Sequence, residues 1–276
     1  MNSNYLTVLD REIHYVEWGA ADRPAIVMWH GLARTGRDFD EIAAHFAATH
    51  RVICPDTLGR GLSQWSPLPE QEYNLDFYVR LAVALVDALG LREFDWIGTS
   101  MGGAIGTVAA AGPLRGRIRR LVLNDNGPSL APAAIERIRS YAGNPAAFAR
   151  VSELEAYLRT VYKPFGWLSD AQWRRLAETS VRRLPDGRVT PHYDPRMVVQ
   201  FVLRPDDYER WDEYDAVTAK TLCLRGELSD LLLPETVAAM QLRGPRCELV
   251  LVPGVGHAPA LNVPEQIGSI ARFLAA

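Results

Sequence analysis

Glu93-Phe94-Asp95-Trp96-Ile97-Gly98-Thr99-Ser100-Met101-Gly102-Gly103-Ala104-Ile105-Gly106 joins a short apolar run, Glu93–Ile97, to a helix-like run rich in Ala and Gly. The joint is Gly98-Thr99-Ser100-Met101-Gly102, a G-x-S-x-G pattern with a strand before it and a helix after it. That context marks a nucleophile elbow, in which a sharp strand-to-helix turn raises a serine hydroxyl at a helix N-terminus. There the helix dipole and free N–H groups favour developing negative charge. Gly98 and Gly102 are read as positions where backbone must pass close by. A bare G-x-S-x-G occurs by chance, and the flanking elements give it its weight.

Outward from this point, short apolar runs alternate with helical patterns. Tyr5–Leu9 and Glu12–Glu17 read as strands joined by a turn at Asp10-Arg11. Ala25–Trp29, bounded by Pro24 and Gly31, Arg51–Cys54, ended by Pro55, Ile118–Asn124, Thr221–Arg225 and Glu248–Val252 read as further strands. Helices are expected over Asp38–Ala48 with Asp38 as N-cap, Leu75–Leu89 with Asn74 as N-cap and Gly90 beyond, Met101–Gly112, Pro234–Gln241 and Pro264–Leu274. This alternation predicts an α/β protein with a doubly wound, mostly parallel sheet covered on both faces. From Pro128 to Asp215 it stops, and amphipathic helical patterns such as Glu153–Tyr162 and Asp170–Arg182 take over. The segment holds 12 of the 25 aromatic residues. We therefore expect a core formed by residues 1–127 and 216–276 and a helical cap over 128–215. The cap's aromatics would form a small core, line a substrate cavity, or do both, with Trp167 and Phe201 as candidates.

Composition narrows the function. The chain has 276 residues, 48% hydrophobic and 23% charged, with a net charge of −3. This is ordinary for a globular protein and argues against nucleic acid as a partner, for which a basic surplus is usual. No apolar run approaches the roughly 18 residues of a membrane span. The opening residues lack a basic start followed by an apolar stretch, so no secretory signal is expected. Cys54, Cys223 and Cys247 sit in or beside apolar runs, outside any metal-ligand spacing. A cytoplasmic protein without disulfides, metal or organic cofactor is expected. It would act on a small molecule as a monomer or homodimer. Of the basic residues, 28 are Arg and 2 are Lys, which reads as a coding bias.

A nucleophilic serine needs a base and an orienting acid. His257, in Pro253-Gly254-Val255-Gly256-His257-Ala258-Pro259, follows the last strand and precedes the last helix. The other histidines, His14, His30, His45, His50 and His192, read as structural or solvated. Two acids compete. Asp230 follows Thr221–Arg225, in Arg225-Gly226-Glu227-Leu228-Ser229-Asp230. Asp125 follows Ile118–Asn124, in Asn124-Asp125-Asn126-Gly127. Both give the chain order Ser, Asp, His, and both stand at strand ends, where sites form in open α/β sheets. The setting of Asp125 is also a common turn. Trp29-His30-Gly31-Leu32 ends its strand as the second oxyanion loop would, making the N–H groups of Leu32 and Met101 the expected donors. Pro55-Asp56-Thr57-Leu58-Gly59-Arg60-Gly61-Leu62-Ser63 reads as a tight turn placing the rim of the site.

These motifs resemble those of the α/β-hydrolase family over nearly the whole chain. The matching residues are His30-Gly31, Asp56 to Ser63, Gly98 to Gly103, Gly226 with Asp230 and Pro234, and Gly256-His257. The resemblance implies an eight-stranded core sheet, a helical cap after the sixth strand and a triad of Ser100, Asp230 and His257, since the family's acid usually follows the seventh strand. Members with serine at the elbow are mostly esterases, lipases, lactonases, thioesterases, peptidases and carbon–carbon bond hydrolases. Ser100 argues against the epoxide hydrolases and haloalkane dehalogenases, which use aspartate. The expected activity is hydrolysis of carboxylic esters of small to medium, largely apolar compounds. The alternatives are cleavage of a ring-cleavage product at a carbon–carbon bond, lactonase, perhydrolase or hydroxynitrile lyase chemistry, and a binding protein that has lost catalysis.

Overall fold

The computed structural model describes residues 1–276, the side chain of Tyr141 excepted. Its strands are β1 (Asn2–Val8), β2 (Arg11–Trp18), β3 (Ala25–Trp29), β4 (Arg51–Pro55), β5 (Phe94–Thr99), β6 (Ile118–Asn124), β7 (Val181–Arg183), β8 (Val189–Pro191), β9 (Lys220–Gly226) and β10 (Glu248–Val252). Eight of them form one sheet in the order β1-β2-β4-β3-β5-β6-β9-β10. β1 and β2 form a hairpin, β2 runs antiparallel to β4, and every other pairing is parallel. The expected α/β sheet is therefore present, with its eight strands. The hairpin turn falls at Leu9-Asp10, one residue earlier than expected, with both residues at positive φ.

Successive strand residues point to opposite faces, and the sheet buries both. Val27, Trp29, Ile53, Trp96, Leu121 and Leu123 belong to one apolar cluster, while Ile26, Met28, Val52, Ile97 and Val122 belong to another. Register sets the site. Trp29 pairs with Gly98, Gly98 with Leu123, Thr99 with Asn124, and Asn124 with Leu224. The carboxyl ends of β3, β5, β6 and β9 thus lie side by side, and the loops leaving them meet.

Helices follow the expected pattern closely. Asn74 caps Leu75–Ala88, its Oδ1 accepting from Phe77 N at 2.9 Å. Asp38 does not cap its helix. A short 3-10 turn, Gly36–Phe39, precedes Asp40–Phe46, and the cap is Thr35, whose hydroxyl accepts from Arg37 N. Asp38 is held by Arg34 instead.

Between β6 and β9 the expected helices are present at Val151–Val161 and Asp170–Ser180, the second begun by a capping box of Ser169 and Gln172. The segment also contains strands, contrary to expectation. β7 and β8 pair antiparallel around a turn at Leu184–Gly187, where Gly187 has φ +87°. Three-residue strands that include two arginines are too short for periodicity to register. Leu154, Leu158, Trp173, Leu176, Ala177 and Val189 make a small core of their own. Phe201, Tyr208 and Tyr214 instead join the large cluster on the sheet.

The glycines of the elbow are required by contact. A Cβ on Gly102 would lie 1.9 Å from the Trp29 carbonyl oxygen, and one on Gly98 would lie 2.2 Å from that of Gly102. Both obstacles are rigid backbone. Gly102→Ala should cost on the order of 3 kcal/mol, the upper range for overpacking. Gly268→Ala, within the helix Pro264–Ala275 and 3.5 Å from only a flexible arginine tip, should gain about 0.5–1 kcal/mol. Denaturant unfolding of the two variants measures both signs.

Candidate active site

Ser100 leaves β5 at φ 52° and ψ −118°, a backbone region that L-residues avoid. The neighbouring strand and helix hold it there. Ser100 N donates to Asn124 O at 3.0 Å, and its carbonyl accepts from Gly103 N and Ala104 N in the helix Met101–Ala111. The hydroxyl faces His257, with Oγ 3.0 Å from Nε2. His257 stands on the loop after β10, and its Nδ1 lies 2.6 Å from Asp125 Oδ2.

Of the two candidate acids, the one that faces His257 is Asp125, not Asp230 as expected. Asp125, at the end of β6, faces His257, whereas the carboxylate of Asp230 is paired with Arg137 and half exposed. Asp125 is fully buried, with φ +54°. Its Oδ1 accepts from Gly226 N at 2.9 Å, and its Oδ2 accepts from Ser229 Oγ at 2.6 Å. The turn character of Asn124-Asp125-Asn126-Gly127 is real, but it is what points the carboxylate at the histidine. β6 adjoins β5, so its end is one strand from Ser100. The loop after β9 reaches Asp125 with Ser229, one residue earlier than expected, and Asp230 stands at the cavity wall instead. Ser229 carried no sequence motif and was missed. Asn124 was missed too. It is buried, and its Nδ2 donates to Thr99 Oγ1 and Pro259 O, tying the elbow to the histidine loop.

The histidine loop is also strapped to the segment between β6 and β9. Gly256 N donates to Pro164 O at 2.8 Å, Ala260 N to Phe165 O at 3.1 Å, and Asn262 Nδ2 to Trp167 O at 2.9 Å.

Beside the serine lies the loop after β3. A Cβ on Gly31 would sit 3.5 Å from Ser100 Cβ, so this backbone abuts Ser100. Arg60, buried in the turn after β4, donates from Nε to Leu32 O at 2.8 Å. In the same turn Asp56 accepts from Gly36 N, Leu62 N and His14 Nδ1. Burial would raise its carboxyl, but these partners, His14 first, hold it below the ordinary range. His30 shapes the loop: Nδ1 lies 2.6 Å from Gly31 O, and Nε2 accepts from Thr57 N at 2.9 Å. Burial pushes it down from its ordinary 6.5 to about 4, so it is a neutral imidazole.

A cavity of about 290 Å³ opens onto Ser100 and His257. Leu32, Ile138, Tyr162, Phe165, Leu168 and Leu176 give it apolar walls, while Arg34, Arg37, Arg137 and Arg175 with Asp38, Glu41 and Asp230 supply charge of both signs. The described lining residues include neither Trp167 nor Phe201. Trp167 is 69% exposed, and Phe201 is buried against Tyr208. Leu168, next to Trp167, faces the cavity in its place, while Phe201 is packed on the sheet cluster, a matter of loop direction and packing that composition cannot fix. Among the described residues, no three His, Cys, Asp or Glu side chains are grouped to hold a metal, and no helix is long and apolar enough to cross a membrane.

Comparison with known proteins identifies the family and the fold. A model described as the alpha/beta hydrolase family matches residues 26–268. A 3-hydroxybutyrate-oligomer hydrolase of Cupriavidus necator is 41% identical over 269 residues, 94% of this chain and 91% of its own. The structure of an alpha/beta hydrolase from Novosphingobium aromaticivorans is similar with a TM-score of 0.87 and 35% identity, over 99% of this chain and 98% of that one. That of a putative hydrolase from Rickettsia typhi has a TM-score of 0.91 and 27% identity, over 99% and 98%.

Two outcomes follow. Asp125→Asn keeps the shape but presents the wrong histidine tautomer, a change that costs about 10⁴ in kcat in the serine-protease template. Asp230→Asn should cost less than tenfold on a neutral ester; kcat for both variants, with circular dichroism to confirm folding, decides the assignment. The second concerns pH. Between pH 6.5 and about 4 the unfolded chain takes up a proton that folded His30 refuses. Stability present above pH 6.5 is thus lost as pH falls towards 4, by about 2–3 kcal/mol from this group. Burial lowers His192 and His50 too, in the same sense. Denaturant unfolding at pH 7.5 and 4.5 should show the loss, and His30→Gln should reduce it.

Proposed function

The chain belongs to the alpha/beta hydrolase family and is a hydrolase, and from that premise we propose that it cleaves carboxylic esters through an acyl-enzyme on Ser100, with short hydroxyacid oligomers as substrates. The observation that carries this reading is the unbroken hydrogen-bonded chain from Ser100 Oγ through His257 to Asp125. Ser100 Oγ attacks the ester carbonyl as its proton passes to His257 Nε2, and the imidazolium that forms is stabilised by the Asp125 carboxylate. The N–H groups of Met101, first in its helix, and Leu32, beside the elbow, receive the oxyanion. The intermediate collapses, the alcohol leaves with the proton from His257, and the acyl group stays on Ser100. Water then attacks the acyl carbon, giving its proton to His257. The carboxylic acid departs as Ser100 takes the proton back.

The substrate class draws on the 41% identical relative, whose name specifies oligomers of 3-hydroxybutyrate, and on the cavity. A volume of about 290 Å³ with apolar walls suits a short aliphatic acyl group, and its several charged side chains suit a polar chain end. The segment between β6 and β9 acts as the cap in this reading, supplying one wall from Val161 to Leu176.

The test is direct. Purified protein should release 3-hydroxybutyrate from the linear dimer, and Ser100→Ala should lower kcat by about 10⁴ or more. A fluorophosphonate probe should add mass to the Ser100 peptide of the parent and leave that peptide of the variant unmodified. Turnover of a ring-cleavage dienoate without turnover of any ester would overturn the ester reading.

A further inference from the structure

Four arginines line the cavity, and three are committed to carboxylates of the fold. Arg34 is buried, with Nε and Nη2 on Asp38 at 2.8 and 2.5 Å and the ring of Tyr162 over its guanidinium face at 4.7 Å. Arg37 gives Nε and Nη2 to the buried carboxylate of Asp40. Arg175 donates from Nη2 to Glu41 at 2.6 Å, with Nε 3.6 Å from Asp40. Asp40 and Glu41 open the helix Asp40–Phe46, so both arginines are tied to one helix start, with Asp40 buried and the Arg175–Glu41 pair partly exposed.

Arg137 differs. It projects from the helix Pro132–Ala142, beside Ile138, which lines the same cavity. Its two terminal nitrogens take the two oxygens of Asp230, fork to fork. Both side chains are about half exposed, at 50% and 53%. An ion pair so exposed to water is weak and opens readily. Its geometry is the bidentate one a guanidinium adopts with any carboxylate. A carboxylate of the chain itself therefore occupies, at the wall of the catalytic cavity, the most water-exposed of its four arginine forks.

We infer that Arg137 reads the free carboxylate of the substrate and that Asp230 is the group this carboxylate displaces. The inference rests on the ester-hydrolase reading above. In a linear hydroxyacid oligomer the free carboxylate ends the alcohol half of the last ester bond. Holding it on Arg137 while that ester carbonyl meets Ser100 directs cleavage to the bond nearest the acid end and shortens the chain one unit at a time. Asp230 opposes the incoming charge, so it sets how strongly acid-ended substrates are preferred. It follows directly after Ser229, which donates to Asp125, so the loop that supports the triad acid also carries the competitor for the fork.

The experiment compares the 3-hydroxybutyrate dimer with its terminal carboxamide, the same shape without the charge. The ratio of kcat/KM for acid over amide is measured in the parent, Arg137→Gln, Arg137→Lys and Asp230→Asn, with thermal melting to confirm folding. Arg137→Gln should lower the ratio about tenfold or more, mainly through KM for the acid. Arg137→Lys, which keeps the charge and loses the fork, should fall between. Asp230→Asn should raise the ratio several-fold. A ratio within twofold of the parent in both Arg137→Gln and Asp230→Asn, including an equal loss on both substrates, would overturn the inference and leave the ester reading standing. A parent enzyme that cleaves neither compound would overturn both.

Discussion

A charge removed from water has to be met by the protein, and the carboxylate of Asp125 meets that demand with groups from two separate strand-end loops. Gly226 N and Ser229 Oγ come from the end of β9, and His257 comes from beyond β10. Ser100, on the neighbouring strand, completes the chain through the histidine. The carboxylate thus fixes where the last two strand-end loops stand relative to the elbow. Removing a donor would leave a buried anion short of a partner, so the groups act as a set.

The elbow and the sheet were legible because their causes are local. An apolar run, a glycine pair with no room for Cβ atoms and a small-residue helix can be read within fifteen residues. Register between adjacent strands then carried Ser100 and His257 to one edge. Which carboxylate faces His257 was not legible in this way, since Asp125 and Asp230 both follow strands and both satisfy the chain order. What separates them is a three-dimensional fact, that β6 is the immediate neighbour of β5, while the β9 loop brings Ser229 to Asp125 and leaves Asp230 with Arg137 at the cavity wall. The turn chemistry counted against Asp125 proved to be the device that aims it.

The segment between β6 and β9 was legible as an interruption and illegible in detail. Its amphipathic helices announced themselves by period, and the capping box at Ser169 marks one start. The β7–β8 hairpin and the direction of each aromatic depend on packing against elements far away in sequence. Trp167 turns to solvent while its neighbour Leu168 turns to the cavity.

The three hydrogen bonds from the histidine loop to Pro164, Phe165 and Trp167 have an evolutionary consequence. The wall that would choose substrates and the loop that carries His257 share one backbone seam. A new specificity acquired by exchanging the whole segment between β6 and β9 would have to reproduce that seam or leave His257 loosely held. Diversification is therefore channelled into side chains on an unchanged wall, such as Tyr162, Leu168 and Leu176. Insertions would be tolerated on the far side, around the β7–β8 turn, where nothing touches the histidine.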